Sequence, residues 1–197
     1  MTDLVLIYAH PRPKSFNAAV ASTVIAALEG AGLQVAVHDL YRDGFYPVLA
    51  FDPEPDDLTE RYQQELLAAR GYVVVHPNWY GQPPAMLKGY LDKVFREEVT
   101  YRFAPGDDGS GVPEGLLQGQ TALVLNTADA TPEREQSVFG DPLDGIWRDC
   151  VFAFSGVTDV RRRTFRPVAG STFEQRRQWL AEAGELATDL FTGAGPR

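Results

Sequence analysis

The chain has 197 residues, 44% hydrophobic and 23% charged, a composition typical of a soluble globular protein. Its formal net charge of −9 argues against nucleic-acid binding, which needs a basic face to neutralise phosphates. No apolar run is long enough to span a membrane, and the apolar run Leu4–Ala9 lacks the flanking residues of a signal peptide. The lone cysteine excludes an internal disulfide. We therefore expect one domain over residues 1–197, without membrane insertion, in the cytoplasm.

Short apolar runs and helical patterns alternate along the first half of the chain. The first run contains Val and Ile and ends at His10-Pro11, which predicts a buried strand. Elsewhere apolar residues recur every three or four positions, and glycine or proline marks the ends of these helical segments. These rules predict the strands Leu4–Ala9, Gln34–His38 and Tyr72–Val75, a turn at Pro53–Asp57, and helices from Phe16 to Ala31, from Leu58 to Ala69 and from Pro83-Pro84 to Phe95.

The second half continues the alternation after the loop Ala104–Gly115, which is rich in Gly, Pro and Asp. Thr121–Leu125 and Thr158–Phe165 are predicted strands, the second at the sheet edge, where Arg161–Arg163 would form a solvated strand end. Between them, a helix would carry one apolar face, composed of Leu143, Ile146, Trp147, Cys150, Val151 and Phe154, which makes the cysteine a core residue. Ser171 and Glu174 have capping-box spacing before a last helix, whose apolar face continues to Leu190.

Strand and helix alternate about five times, which predicts a parallel sheet covered by helices on both sides. In such a sheet, with the strand order 2-1-3-4-5, ligands bind beyond the carboxyl ends of the first and third strands. The segments that leave those strands are 10–17 and 76–81, and both are chemically unusual. Three scattered histidines give no reason to expect a metal site.

The first of these segments has the features of an anion site at a helix N-terminus. Ser15 can cap the helix, and the free N–H groups of the first turn favour a phosphate. Asn17 adds an amide donor, while His10 and Lys14 add donors or positive charge. The chain has no GxGxxG and no Walker motif, which argues against a Rossmann dinucleotide site and against a P-loop. Taken alone, Ser15 could equally be only a helix cap.

The second segment places two flat, amphipathic side chains on a loop. Trp79 and Tyr80 could stack on a planar isoalloxazine ring, and Gly81 would let the backbone approach it closely. Backbone N–H groups could then donate to the carbonyl oxygens of the ring. Taken alone, Trp79 could instead pack against the neighbouring helix.

Together the two segments resemble the flavodoxin-2 family of NAD(P)H:quinone oxidoreductases. This family includes the DT-diaphorase type and the bacterial modulator-of-drug-activity and potassium-efflux ancillary types. The resemblance implies a flavodoxin-like three-layer sandwich and covers most of the chain, loosely after Gly119. The matching stretches are Ala9-His10-Pro11 to Ser15-Phe16-Asn17, Asp39-Leu40-Tyr41, Pro77-Asn78-Trp79-Tyr80-Gly81, Pro84 to Gly89, Asp92 to Phe95, and Tyr101-Arg102-Phe103.

The resemblance also implies roles for individual residues. The flavin phosphate and ribityl chain would be held by His10, Ser15, Phe16 and Asn17, and the isoalloxazine ring by Pro77, Asn78, Trp79, Tyr80, Gly81 and the loop Asn126, Thr127, Ala128 and Asp129. Among these, the backbone N–H groups of Trp79 and Tyr80 would stabilise charge that develops on the ring. In a homodimer, Tyr101 and Phe103 would close over the pocket of the neighbouring subunit, which makes Tyr101 a third candidate catalytic residue.

One stretch departs from the family pattern. The DT-diaphorase type carries a tyrosine and a histidine that are thought to relay charge when the flavin is reduced. The corresponding stretch here, Thr131–Leu143, is TPEREQSVFGDPL and contains neither residue. The missing pair would have served the proton-handling step, whereas binding is less affected.

The function implied is a reductase in which NADPH or NADH passes hydride to flavin N5, and a quinone-like acceptor then takes the electrons. FMN is expected, with FAD as the alternative, because the chain lacks a C-terminal extension like that of the longest FAD-binding relatives. Two alternatives remain: a flavodoxin-like electron carrier, and a flavin-binding regulatory subunit of a membrane transporter. The natural acceptor and the preference between NADH and NADPH stay open.

Overall fold

A parallel sheet of five strands runs through the computed structural model, which describes residues 2–51, 54–107 and 110–193. In chain order the strands are β1 (Leu4–Tyr8), β2 (Val35–Asp39), β3 (Gly71–Pro77), β4 (Tyr101–Arg102), β5 (Glu114–Gly115), β6 (Thr121–Thr127) and β7 (Asp159–Phe165). The main sheet has the order β2-β1-β3-β6-β7, while β4 and β5 form a separate antiparallel pair. Numbered within the main sheet alone, this order is 2-1-3-4-5, and the predicted topology is confirmed.

Helices cover both faces of the sheet. They are α1 (Phe16–Gly30), α2 (Asp57–Ala68), α3 (Ala85–Val94), α4 (Pro132–Arg134), α5 (Pro142–Gly145) and α6 (Phe173–Thr192). Two π-helical segments follow short helices directly: π1 (Glu135–Phe139) after α4, and π2 (Ile146–Ala153) after α5. None of the helices in the described ranges combines the length and the apolar character that crossing a bilayer demands.

The alternation of side chains along β1 builds the core on both faces. Leu4, Leu6 and Tyr8 pack against α1 and α6, whereas Val5 and Ile7 pack against α2, α3 and the α5–π2 segment. Because successive side chains of a strand point to opposite faces, a strand buried on both sides must be apolar throughout. The predicted three-layer sandwich is therefore confirmed.

The helix predicted around 143–154 is present, but its geometry differs from the prediction. In π2, hydrogen bonds span five residues, so Trp147 and Phe152, five apart, are both fully buried. Cys150, three residues after Trp147, faces the surface, and the expectation that it belongs to the core is wrong. The ordinary helical period used for the prediction assigned this residue to the wrong face.

Two smaller expectations are also corrected. Thr172, not Ser171, caps α6 and accepts a hydrogen bond from the Gln175 N–H at 3.1 Å. The basic run Arg161–Arg163 is a solvated strand end only at Arg161. Arg162 pairs with Asp141 and Asp144, and Arg163 pairs with Glu182, because α6 and the loop before α5 bring acidic groups to the edge strand.

The predicted loop and turn segments mostly hold. Within the loop predicted at Ala104–Gly115, residues 104–107 and 110–113 are irregular, 108 and 109 lie outside the described residues, and Glu114–Gly115 form β5, so that part of the prediction was wrong. In the turn predicted at Pro53–Asp57, Asp56 caps α2 by accepting a bond from the Thr59 N–H at 2.9 Å. Pro53 lies outside the described residues.

Candidate functional site

Three loops meet beyond the carboxyl ends of the central strands β1, β3 and β6. Backbone hydrogen bonds fix their start points: the Ala9 N–H donates to the Val75 carbonyl at 3.1 Å, and the Asn78 N–H donates to the Thr127 carbonyl at 2.7 Å. The three loops therefore leave the sheet side by side. This is the edge at which open parallel sheets bind their ligands.

The loop after β1 ends in a capped helix. Ser15 has extended backbone angles, and its Oγ accepts a hydrogen bond from the Ala18 N–H at 3.1 Å, so the predicted cap is confirmed. The hydroxyl of Tyr8 lies 3.3 Å from the same Oγ, and burial raises the pKa of this tyrosine. The N–H groups of Phe16 and Asn17 precede the first intrahelical bond and remain available to an anion.

Asn17 connects the first and third of these loops. Its side chain is 4% exposed, and its Nδ2 donates to Thr127 Oγ1 at 2.8 Å. Its Oδ1 is buried and has no hydrogen-bond partner among the described residues. A buried acceptor without a partner costs free energy, so this atom marks a place where a ligand donor would be favoured.

His10 and Trp79 face each other across the first and second loops. Their ring centroids are 6.0 Å apart, and His10 Nδ1 accepts a hydrogen bond from the Arg12 N–H at 3.0 Å. Burial lowers the pKa of His10, which favours the neutral ring. Trp79 is partly exposed and lies beside the loop after β1 rather than in the core.

A tight turn shapes the loop after β3. The Trp79 N–H donates to the Gln82 carbonyl at 3.1 Å, and the Gln82 N–H donates back at 3.0 Å. Between them, Tyr80 and Gly81 have φ values of 58° and 72°, which a type I′ turn requires. Asn78 Oδ1 accepts a further bond from the Gly81 N–H at 2.8 Å. Turn 78–82 therefore uses the Trp79 N–H internally, and the expectation that this group is free for a ligand is wrong.

Two cavities adjoin at these loops. The first, of about 370 Å³, lies over the N-terminus of α1, and the second, of about 620 Å³, lies beside turn 78–82. Both have the size of ordinary ligand sites. They share the three lining residues Asn78, Ala128 and Asp129. We call them the phosphate cavity and the ring cavity.

Most of the predicted binding residues line these cavities. The phosphate cavity is lined by His10, Ser15, Phe16, Asn17, Pro77, Asn78, Trp79, Thr127, Ala128 and Asp129, together with Arg12 and Lys14. Tyr80 and Gly81 line the ring cavity, where the Tyr80 side chain is fully exposed. Asn126 lines neither cavity: it is fully buried below them, so its predicted contact with the ring is not supported.

Several lining residues were not foreseen from the sequence. Glu135, Val138, Phe139 and Pro142 line the ring cavity, and Val168 and Ala169 line the phosphate cavity. The first four come from the stretch in which tyrosine and histidine are missing. This stretch corresponds to the one that carries the charge-relaying pair in the DT-diaphorase type, but only the fold of π1 shows that Glu135 points inward.

A buried hydrogen-bond network lies beneath the cavities. Asn126 and Trp147 both donate to His76 Nε2 at 2.8 Å, and His76 Nδ1 donates to the Pro77 carbonyl at 2.8 Å. The Nδ1–H tautomer is required, because a carbonyl can only accept. Asn126 Oδ1 in turn accepts from Arg162 at 3.3 Å. This network supports the start of the loop after β3, although His76 itself lines neither cavity.

Tyr101 lies apart from both cavities of its own chain. Its ring packs on Phe154 with a centroid distance of 4.7 Å and on Phe103 at 5.9 Å. It lines a separate groove of about 570 Å³ between α3 and π2. Cys150 and Phe154 contribute exposed surface to the same groove.

The residues at these cavities fit a phosphorylated planar cofactor such as a flavin. The first turn of α1 offers N–H donors to a phosphate, and Arg12 and Lys14 add positive charge beside it. The unpartnered Oδ1 of Asn17 suits a hydroxyl donor of a ribityl chain. Among the described residues, no cluster of three or more His, Cys, Asp or Glu side chains could hold a metal ion.

Comparison with known proteins agrees with this geometry. A family model described as a flavodoxin-like fold, Flavodoxin_2, matches residues 2–186. An uncharacterized NAD(P)H oxidoreductase from Haemophilus influenzae is 32% identical over 173 residues, which cover 82% of each chain. The uncharacterized NAD(P)H oxidoreductase YcaK from Escherichia coli is 37% identical over 107 residues, which cover 50% of this chain and 55% of that protein. An FMN-dependent NADH:quinone oxidoreductase from Thiobacillus denitrificans is 33% identical over 117 residues, 55% of this chain and 53% of that one.

Solved structures share the same fold. The protein Smu.1420 from Streptococcus mutans superimposes with a TM-score of 0.84 at 22% identity, covering 95% of this chain and all of that chain (100%). An NAD(P)H:quinone oxidoreductase from Methanothermobacter marburgensis gives a TM-score of 0.79 at 22% identity, with 96% of each chain covered.

Proposed function

We propose that this chain, which belongs to the Flavodoxin_2 family of flavodoxin-like folds, is an FMN-dependent oxidoreductase that uses NADH or NADPH to reduce a quinone-like acceptor. The observation that carries the proposal is the pair of adjoining cavities at the carboxyl edge of the sheet. One has the donors of a helix N-terminus, and the other has a turn and an apolar wall. The name of the Thiobacillus denitrificans relative supports both the cofactor and the acceptor.

The phosphate cavity would bind the cofactor by its non-reacting end. The first-turn N–H groups and the cap of Ser15 would hold the phosphate, and Asn17 Oδ1 would accept from a ribityl hydroxyl. His10 and Trp79 would close the side of this cavity, since their rings face each other there. These residues orient the cofactor and take no part in chemistry.

The ring cavity would hold the reacting parts. A bound flavin would supply the redox chemistry, accepting hydride from the nicotinamide and passing electrons to the acceptor. Turn 78–82 would form the wall beside the ring, and its Tyr80 N–H is the donor that this turn does not use internally in the described residues. In place of the predicted catalytic roles, Trp79 would shape the wall of the cavity, and Tyr80 would donate a hydrogen bond from its backbone N–H.

A homodimer is part of this proposal. Tyr101 lines neither the phosphate cavity nor the ring cavity of its own chain, and the groove that it does line is mostly apolar, with Leu91, Phe95 and Phe154 in its wall. An open apolar groove of this kind favours burial against another chain. We expect a second copy to cover it and bring Tyr101 and Phe103 towards the ring cavity of its partner. We also expect a cytoplasmic location, where the exposed Cys150 would stay reduced.

FMN binding tests the cofactor assignment directly. Added FMN should lose fluorescence on titration with the purified protein, and the complex should oxidise NADH when a simple quinone is present. Asn17→Asp should weaken FMN binding by about tenfold or more, because a carboxylate beside the phosphate cavity repels the anion. Gln64→Glu makes the same chemical change on the exposed side of α2 and should leave binding unchanged.

The outcomes separate the proposal from its rivals. Absence of FMN binding, or an equal affinity for Asn17→Asp and wild type, would contradict the proposed site. Tight FMN binding without NADH oxidation would instead favour an electron carrier.

A further inference from the structure

Glu135 is a buried carboxylate in an otherwise exposed stretch. It is 3% exposed, whereas its neighbours in π1 and in α4 lie at the surface. It lines the ring cavity together with Asn78, Tyr80 and Gly81 of turn 78–82. A carboxylate is almost never fully buried without partners, so its contacts indicate what holds it there.

Two side chains contact this carboxylate. Oε1 accepts a hydrogen bond from Asn78 Nδ2 at 3.0 Å, and Oε2 lies 3.7 Å from Arg166 Nη1. Arg166 is itself largely buried, with 12% of its side chain exposed. The guanidinium therefore balances the charge of Glu135 at a place where water cannot do so.

The hydrogen bonds through Asn78 have a fixed direction. The Gly81 N–H donates to Asn78 Oδ1 at 2.8 Å, so this side of the amide must be the oxygen. Nδ2 must then face Glu135, and it needs an acceptor. A carboxylate accepts and cannot compete as a donor, which makes Glu135 the matching partner.

We propose that Glu135 is a positioning residue of the ring cavity: paired with Arg166, it orients the Asn78 amide and thereby holds turn 78–82 in the shape that binds the flavin ring. This inference deepens the proposed function and rests on it. It also assigns a role to the stretch without tyrosine and histidine. There the chain places a fixed carboxylate that acts on the site through Asn78.

Replacing the carboxylate by an amide should break this arrangement. In Glu135→Gln, the new amide has two possible orientations. If its oxygen faces Asn78, its NH₂ group lies against the Arg166 guanidinium; if its oxygen faces Arg166, its NH₂ group meets the Asn78 NH₂ group, and both are donors. The first orientation keeps an acceptor for Asn78 but loses the charge that pairs with Arg166, and the second removes the acceptor that orients the Asn78 amide towards Gly81. Glu135→Asp keeps an acceptor-only carboxylate one methylene shorter and should recover part of the loss.

The test is a double-mutant cycle on FMN affinity with Glu135→Gln, Asn78→Ala and the double variant. We expect Glu135→Gln to weaken FMN binding by about tenfold, as for the loss of one charged hydrogen bond. If Glu135 acts through Asn78, Glu135→Gln should cost little further affinity once Asn78 is alanine. Glu174→Gln removes the carboxylate of an exposed Glu–Arg pair and should leave affinity unchanged.

A second readout does not depend on the flavin. In protein free of FMN, amide hydrogen exchange at Gly81 should be faster in Glu135→Gln than in wild type, and Glu135→Asp should slow it again. Full additivity in the cycle, or unchanged Gly81 exchange in Glu135→Gln, would overturn the inference. If the wild-type protein does not bind FMN, but Gly81 still exchanges faster in Glu135→Gln than in wild type, the proposed function is overturned. The role of Glu135 in positioning turn 78–82 then remains.

Discussion

Beneath the ring cavity, the protonation of one side chain determines which hydrogen bonds can form. His76 is fully buried, donates from Nδ1 to the Pro77 carbonyl and accepts at Nε2 from Asn126 and Trp147. The two bonds to Nε2 require the neutral ring, because only an unprotonated Nε2 can accept, whereas Nδ1 donates in either protonation state. A second proton at Nε2 would meet two donors and disrupt the support of the loop after β3.

The pKa of His76 gives this network a pH dependence. Burial lowers the pKa from 6.5 to about 4, so below pH 6.5 the unfolded chain binds protons that the folded chain refuses. The neutral His76 therefore contributes its full free energy of unfolding above pH 6.5, the pKa in the unfolded chain. This free energy is lost as the pH falls towards about 4, the pKa in the folded chain. We expect about 2 kcal/mol of it to be lost between about pH 7 and pH 5, measured by urea unfolding.

His76→Gln should remove this part of the pH dependence, because glutamine does not titrate. The comparison is between slopes against pH, since the substitution also changes absolute stability. His10→Gln, at a partly exposed histidine, should keep most of the wild-type slope. A His76→Gln protein with the same slope as wild type would contradict the prediction.

Site residues were predictable where a local motif defines them and were missed where tertiary packing does. Ser15 and Asn17 stand at a helix start that the sequence marks, and they line the phosphate cavity. Asn126 was assigned to the ring by its place after the strand, yet its side chain turns inward to His76 and Arg162. Glu135 carries no local signal, because its burial depends on Arg166, which is 31 positions later in the chain.

Among the elements, the parallel strands were the most predictable. Their apolar runs follow from burial on both faces, and β1 and β3 lie close to the predicted ranges. The segment after α5 was less predictable, because a π-helix arises from packing rather than from an apolar period. The misplaced Cys150 is the direct result.

Turn 78–82 permits a prediction at the scale of one element. Gly81 has a φ of 72°, and a Cβ added there would lie 2.6 Å from Pro142 Cγ. The left-handed backbone alone should therefore lower the free energy of unfolding of Gly81→Ala by about 1 to 2 kcal/mol. The contact with Pro142 should displace the turn further and weaken FMN binding.

Gly119→Ala is the matched control. Its φ is 83°, and a Cβ there would meet nothing within 4 Å, so it carries the backbone cost without a clash. The measurements are the free energy of unfolding and the FMN dissociation constant of both variants. If Gly119→Ala weakened FMN binding as much as Gly81→Ala, the prediction that the shape of turn 78–82 determines FMN affinity would be contradicted.

For the whole molecule, the proposed dimer makes the groove between α3 and π2 the surface to test. Phe154→Glu puts a charge beside Tyr101 in this groove, and burying that charge at an interface would be costly. We expect dimer dissociation to become at least about tenfold more favourable, as measured by sedimentation velocity. Quinone reduction should fall with it, since Tyr101 would no longer reach a partner.

Phe173→Glu provides the comparison. Phe173 is exposed at the start of α6, in the helical layer on the other face of the sheet, and its replacement should leave the sedimentation coefficient unchanged. A wild-type protein that stays monomeric at all accessible concentrations would contradict the proposed dimer. That residues 1–197 form one domain likewise stays a prediction.

The charged residues along β7 have a consequence for the behaviour of the protein in concentrated solution. β7 is an outer strand of the sheet, and the backbone of an outer strand can pair with another extended chain. Arg161, Arg162 and Arg163 follow one another along it, each near an acidic partner. A second strand aligned there would have to displace these ion pairs, so the fold discourages sheet extension into fibrils on this side.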